Sequence, residues 1–146
     1  MSERRVPAEL RRFVADRANR CCEYCRTQER YSSDPFAIDH INPRSRGGLT
    51  TEENLAFCCQ GCNQHKSKRS VAPDPITDAP VPLFHPREQH WQVHFSWNGD
   101  FTLMVGLTSV GRATISALHL NRPGLVNLRR ALYAIGEHPP RLTEEL

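Results

Sequence analysis

The chain holds no run of about eighteen apolar residues, and its start, Met-Ser-Glu-Arg-Arg, leads into charged sequence with no apolar h-region. Neither membrane spanning nor secretion is expected. The setting that follows is cytoplasmic, where thiols stay reduced and ligate metals in preference to forming disulfides. A strong charge imbalance is missing too: 19 Lys and Arg against 16 Asp and Glu leave +3, which permits a polyanionic partner without demanding one. No internal repeat and no low-complexity tract occurs. Neither Cys-x2-Cys pair sits in a βαβ pattern, which excludes a thiol-disulfide enzyme. At 146 residues the chain is too short for a large multidomain enzyme, and a fifty-residue piece folding by itself would need a staple.

Six cysteines can supply that staple, and all lie between Cys21 and Cys62. Ahead of them, residues 1–20 read as a basic amphipathic helix with Pro7 at its start and Leu10, Phe13, Val14 and Ala18 at helical spacing. Arg4, Arg5, Arg11, Arg12, Arg17 and Arg20 lie on its outward positions. Eight Arg against five acids in the first thirty residues account for the whole formal excess; a solvated face and a phosphate-facing one are both open. Residues 21–70 read as a metal-organised module. Residues 71–89, with Pro73, Pro75, Pro80, Pro82 and Pro86, read as an extended linker. Across residues 90–136, two alternating runs flank Asn98-Gly99 and predict a hairpin. Thr108 and Asn121 would then cap two helices, the second stopped at Gly136 and Pro139. Trp91 and Trp97 are expected in the core. Residues 137–146 are expected to fray.

Cys22 and Cys25 make one Cys-x2-Cys knuckle, and Cys59 and Cys62 make a second. Two such pairs suit tetrahedral zinc, because each tight turn sets two sulfurs on one side of the ion. Cys21 and Cys58 each precede a ligand but break the two-residue spacing, so they are taken as non-ligands. Between the knuckles run Phe-Ala-Ile-Asp39-His40-Ile-Asn-Pro-Arg44-Ser-Arg46-Gly-Gly and Glu-Asn54-Leu, followed by Cys59-Gln-Gly-Cys62-Asn63-Gln-His-Lys66. Phe36 and Ile38 share one side of a short strand. Asp39 and His40 leave its end on opposite faces, so that one can bind a metal while the other addresses a water. A second strand is predicted over Asn54 to Phe57 and a helix from Gly61 through Lys68, with Asn63 and Lys66 on one helix face.

These residues, together and in order, resemble the HNH endonuclease family, the ββα-metal nucleases, in its zinc-knuckled branch. The resemblance covers roughly residues 20 to 70. It implies an α+β chain: a ββα-metal module stapled by a four-cysteine zinc site, with an N-terminal helix and a C-terminal β-hairpin plus helices. It implies a metal-dependent endonuclease acting on DNA, with RNA left open. In that reading His40 is the general base, Asp39 and Asn63 hold a divalent ion, and Asn54 holds the loop and helps orient the His40 ring. Oxygen ligands favour Mg²⁺ or Mn²⁺, and products would carry 5′-phosphate and 3′-hydroxyl ends. Lys66, Arg44 and Arg46 are candidates for contact with the substrate phosphate, or else solvated cations. Asn63 stands where many members have His, which leaves the metal less determined. A catalytically idle zinc module that binds nucleic acid or protein is the alternative. Sequence preference, nicking against double-strand cleavage, biological pathway and oligomeric state are not readable.

Overall fold

The computed structural model describes residues 6–141; Arg4, Arg5 and residues 142–146 of the expected tail lie outside the described residues. The chain is α+β and divides into two compact units, the first ending at Ser70 and the second covering Val71–Arg141.

The first unit opens with α1 (Ala8–Arg17), which begins behind Pro7 as its fixed backbone angle favours. Val14, Ala15 and Ala18 are buried, whereas Phe13, expected on the apolar face, is exposed beneath the Arg17 guanidinium at 5.1 Å from its ring. Arg17 donates to the carbonyls of Glu52 and Leu55 at 2.9 and 2.8 Å, so one arginine of the basic helix ties α1 to the strand it packs on. Asn19 and Arg20 adopt left-handed backbone angles. This ends the helix short of Cys21 and reverses the chain into the first knuckle. Strands β1 (Ala37–His40) and β2 (Leu55–Cys58) pair antiparallel with Asp39 opposite Ala56, and α2 (Gln60–Lys66) follows directly. Phe36 and Phe57 meet with ring centroids 5.2 Å apart.

Residues 41–54 between the strands are closed by Asn54. Its Oδ1 accepts from the Asn42 N–H at 2.8 Å, and its Nδ2 donates to the Asn42 and Leu49 carbonyls at 3.0 and 2.8 Å. The adjacent glycines are needed for different reasons. Gly47 has φ +88°, which L side chains rarely adopt, while a Cβ at Gly48 would run into the Asn42 carbonyl.

In the second unit the proline-rich stretch is not an extended linker. It folds as a hairpin of β3 (Val71–Pro73) and β4 (Pro80–Pro82), with Ala72 opposite Val81, and the later helix over Ser109–Leu118 packs on both strands. The Asp74 N–H bonds the Ala79 carbonyl at 2.9 Å, in phase with the Ala72–Val81 pair. Pro73, Pro80 and Pro82 therefore fall at alternate ladder positions, where no N–H donor is required. Asp74 closes the turn by accepting from the Ile76 N–H and the Thr77 hydroxyl, and Arg112 grips it in a bidentate pair at 3.0 and 2.7 Å.

The run from Trp91 also differs from the expected strand. One helical turn, α3 (Trp91–His94), precedes β5 (Phe95–Trp97), which pairs antiparallel with β6 (Met104–Gly106). The loop between them is no two-residue turn. Asn98 bonds Leu103 through its backbone, and its Oδ1 accepts from the Thr102 and Leu103 N–H groups at 3.0 Å each. The Asn-Gly signal therefore acts here through the asparagine side chain. Thr108 caps α4 (Ser109–Leu118) by accepting from the Gly111 N–H at 3.1 Å. Asn121 does not cap α5 (Pro123–Ala134); Pro123 occupies its first turn, and Asn121 bonds both backbone groups of Met104. Buried Arg129 joins the Thr102 and Leu120 carbonyls to the Asn121 amide, its guanidinium 5.0 Å from the Trp97 ring. Within the described part of the expected tail, residues 137–141, His138 is docked where fraying was expected: it is buried and bonds the Phe101 carbonyl at 2.9 Å.

Candidate active site and metal centre

Cys22, Cys25, Cys59 and Cys62 converge with their sulfurs all within 4.8 Å of one another, every one buried. Cys25 and Cys59 come from different knuckles, and their sulfurs stand 3.7 Å apart. A tetrahedral zinc with Zn–S bonds of about 2.3 Å needs sulfur separations near 3.8 Å, so the donor set fits that ion in chemistry and spacing. In each knuckle the second cysteine's N–H approaches the first cysteine's sulfur at 3.4 Å, a contact that helps carry thiolate charge. Cys21 and Cys58 are buried but outside the cluster, and the Cys21 thiol donates instead to the Asn19 carbonyl.

The two residues inside the first knuckle dock it onto the hairpin. Glu23 accepts from the Phe57 N–H at 2.9 Å while its own N–H donates to the Phe57 carbonyl at 2.9 Å, fixing the knuckle to β2. Tyr24, wholly buried, donates its hydroxyl to Asp39 Oδ2 on β1 at 2.8 Å.

Asp39, His40 and Asn63 line one cleft of about 160 Å³, together with Ile38, Pro43, Arg44, Ser45, Ser67 and Lys68. Short strand β1 delivers the first two, and the helix that starts at the second knuckle delivers the third. His40 is partly exposed, and its Nε2 lies 2.9 Å from the Thr50 hydroxyl. Asn54, expected to serve both loop and ring, bonds backbone groups of the loop; the hydroxyl on the ring belongs to Thr50. Burial pushes the Asp39 carboxyl above its ordinary range, and the Lys66 ammonium and Tyr24 hydroxyl offset part of that rise.

Lys66 is 1% exposed, so it is not the surface cation a phosphate would meet. Its Nζ reaches Asp39 Oδ1 at 3.2 Å and the His40 and Ile41 carbonyls at 3.3 and 3.1 Å. The reason is positional: three residues past Asn63 on α2, the side chain points down onto β1. Arg44 lines the cleft, while Arg46 is exposed and approaches the Lys68 carbonyl at 3.4 Å. Sequence reasoning missed Thr50, Tyr24 and Lys68. Only Tyr24 carried a signal, its place inside the Cys-Glu-Tyr-Cys knuckle.

Residues 22–69 match the family model described as HNH endonuclease. Over that span the first unit is similar to the family. The match covers a third of the chain and takes in both knuckles, Asp39, His40, Asn54 and Asn63. HNH nucleases act on nucleic acids, so the match suggests nuclease-type activity. No curated protein and no solved structure matches the chain. Among the described residues no helix is long and apolar enough to cross a membrane.

Proposed function

We propose that this protein is a metal-dependent HNH endonuclease that hydrolyses phosphodiester bonds in DNA. The observation that supports it best is the meeting of Asp39, His40 and Asn63 on one cleft whose rim carries Arg44 and Lys68. His40 is the general base. It takes a proton from the attacking water while the water oxygen bonds to phosphorus and the bond to the 3′-oxygen breaks; that oxygen takes a proton from solvent, leaving 5′-phosphate and 3′-hydroxyl ends. The Thr50 hydroxyl at Nε2 holds the ring for that transfer.

Asp39 and Asn63 are the residues to hold a divalent ion, and their oxygens suit Mg²⁺ or Mn²⁺. Such an ion, when bound, supplies positive charge to the scissile phosphate and the leaving oxygen. Arg44 and Lys68 add charge along the strand that enters the cleft. The four cysteines hold a structural zinc that takes no part in the reaction.

The test compares wild type with His40→Ala on supercoiled plasmid in Mg²⁺ or Mn²⁺, with the product ends identified. Loss of a general base lowers the rate by about 10²- to 10⁴-fold. Wild-type products should be ligatable without end repair. Cleavage by His40→Ala at the wild-type rate would contradict the assignment.

A further inference from the structure

Both oxygens of Asp39 are held by protein donors, one inside the first Cys-x2-Cys knuckle and one at the end of the helix that starts at the second. Tyr24, between Cys22 and Cys25, donates its hydroxyl to Oδ2 at 2.8 Å. Lys66, on the helix that Cys59 caps and Cys62 anchors, approaches Oδ1 at 3.2 Å. Tyr24, Lys66 and Asp39 are all buried, so water cannot substitute for either contact. Closing the four-thiol cluster is what brings residues 24 and 66 to the same carboxylate.

From this geometry we infer that Tyr24 and Lys66 are positioning residues: a clamp through which the structural zinc site fixes the metal-binding carboxylate of Asp39. The inference rests on the reading of Asp39 as a ligand of the divalent ion. A carboxylate has about four lone-pair positions, so two donors leave room for a cation while removing the freedom of the carboxylate plane to turn. Lys66 does a second job through the His40 and Ile41 carbonyls, which it bonds at 3.3 and 3.1 Å. The same ammonium thus holds the backbone of the base beside the ligand. Its positive charge also opposes a cation at Asp39, so the hydroxyl of Tyr24, which is neutral, is the cleaner contact to remove.

The experiment measures Mn²⁺ binding by electron paramagnetic resonance, without substrate, on the full chain with zinc content and thermal unfolding followed in parallel. Tyr24→Phe should keep one zinc per chain and a folded structure while weakening Mn²⁺ binding by about 10- to 100-fold, the usual range for an outer contact to a ligand. Asp39→Asn serves as the reference. If Asp39→Asn binds Mn²⁺ like wild type, the reading of Asp39 as ligand fails. If Asp39→Asn loses Mn²⁺ while folded, zinc-loaded Tyr24→Phe binds it normally, the clamp fails and the ligand reading stands. A measurement on unmutated protein guards against a variant that does not fold. Of the three tyrosines, ¹³Cζ-labelled Tyr24 should shift as Mg²⁺ fills the site, and an unmoved resonance at saturation would overturn the inference.

Discussion

The two units are held together by different physics. The interior of the first is polar where it matters: four thiols, a buried Lys66–Asp39 pair and a buried glutamate on the Phe57 amide. The second buries Leu83, Phe84, Trp91, Phe95, Met104, Leu118, Leu120, Leu125 and Leu132 around aromatic contacts such as Phe84–Phe95, centroids 5.2 Å apart. Burial of that apolar area stabilises the second unit, which also buries Asp74 and Arg129 with their partners. The first also buries Val14, Phe36, Ile38, Ile41, Leu55 and Phe57, but its knuckles close around four thiols, so it is the unit that a metal would staple. A metal held by the four thiols would brace the unit that buries the Lys66–Asp39 pair.

Zinc should separate the two units most sharply. Chelation, or Cys59→Ser, should unfold the first unit, because zinc binding in such modules is worth about 10–16 kcal/mol of folding free energy. Both tryptophans, Trp91 and Trp97, lie in the second unit. Tryptophan fluorescence should therefore hold steady while far-ultraviolet dichroism falls. A simultaneous loss of both signals would show that the second unit leans on zinc as well.

The converse change is Leu118→Ala, at a position with no exposure on α4. It should cost about 2–5 kcal/mol through lost burial and a residual cavity, lowering the tryptophan-monitored transition while zinc content stays at one per chain.

A finer distinction comes from pH. The bidentate Arg112 guanidinium holds the Asp74 carboxyl well below the usual carboxylate range. A depressed folded value means the pair stabilises the second unit above the unfolded value near 4. That contribution drains away as pH falls through the folded value. Urea unfolding of wild type monitored on tryptophan should show stability falling below about pH 4, and Asp74→Asn should flatten that part of the slope. An unchanged slope would mean other carboxylates carry it.

What was legible from sequence follows the same division. Cys-x2-Cys spacing is a local geometric demand, so the knuckles can be read from four positions, and Asp39-His40 at a strand end likewise announces itself. The clamp could not be read, because Tyr24 and Lys66 stand 15 and 27 residues from Asp39 and meet it only after the knuckles close. Lys66 shows how composition misleads: a lysine at a helix end normally faces water, and here the strand beneath offers a carboxylate and two carbonyls. In the second unit the prolines suggested a linker because Pro usually interrupts pairing, yet alternate spacing put them where the ladder asks for no donor. Trp91 had the right period for a strand, but over four residues a helical turn satisfies the same burial of Trp91 and Phe95. Asn121 had the right chemistry for a cap and was drawn instead to Met104 and Arg129.

If a zinc-closed frame carries a separate divalent-ion nuclease site, cleavage must depend on a second ion. The most direct test washes the protein free of loosely bound cations, verifies one zinc per chain, and follows plasmid cleavage as Mg²⁺ or Mn²⁺ is added. Zinc alone should give no cleavage, and either added ion should restore it. Protein that keeps zinc and fold yet stays inert across both ions on duplex, single-stranded and RNA substrates would contradict that nuclease site and favour a binding module.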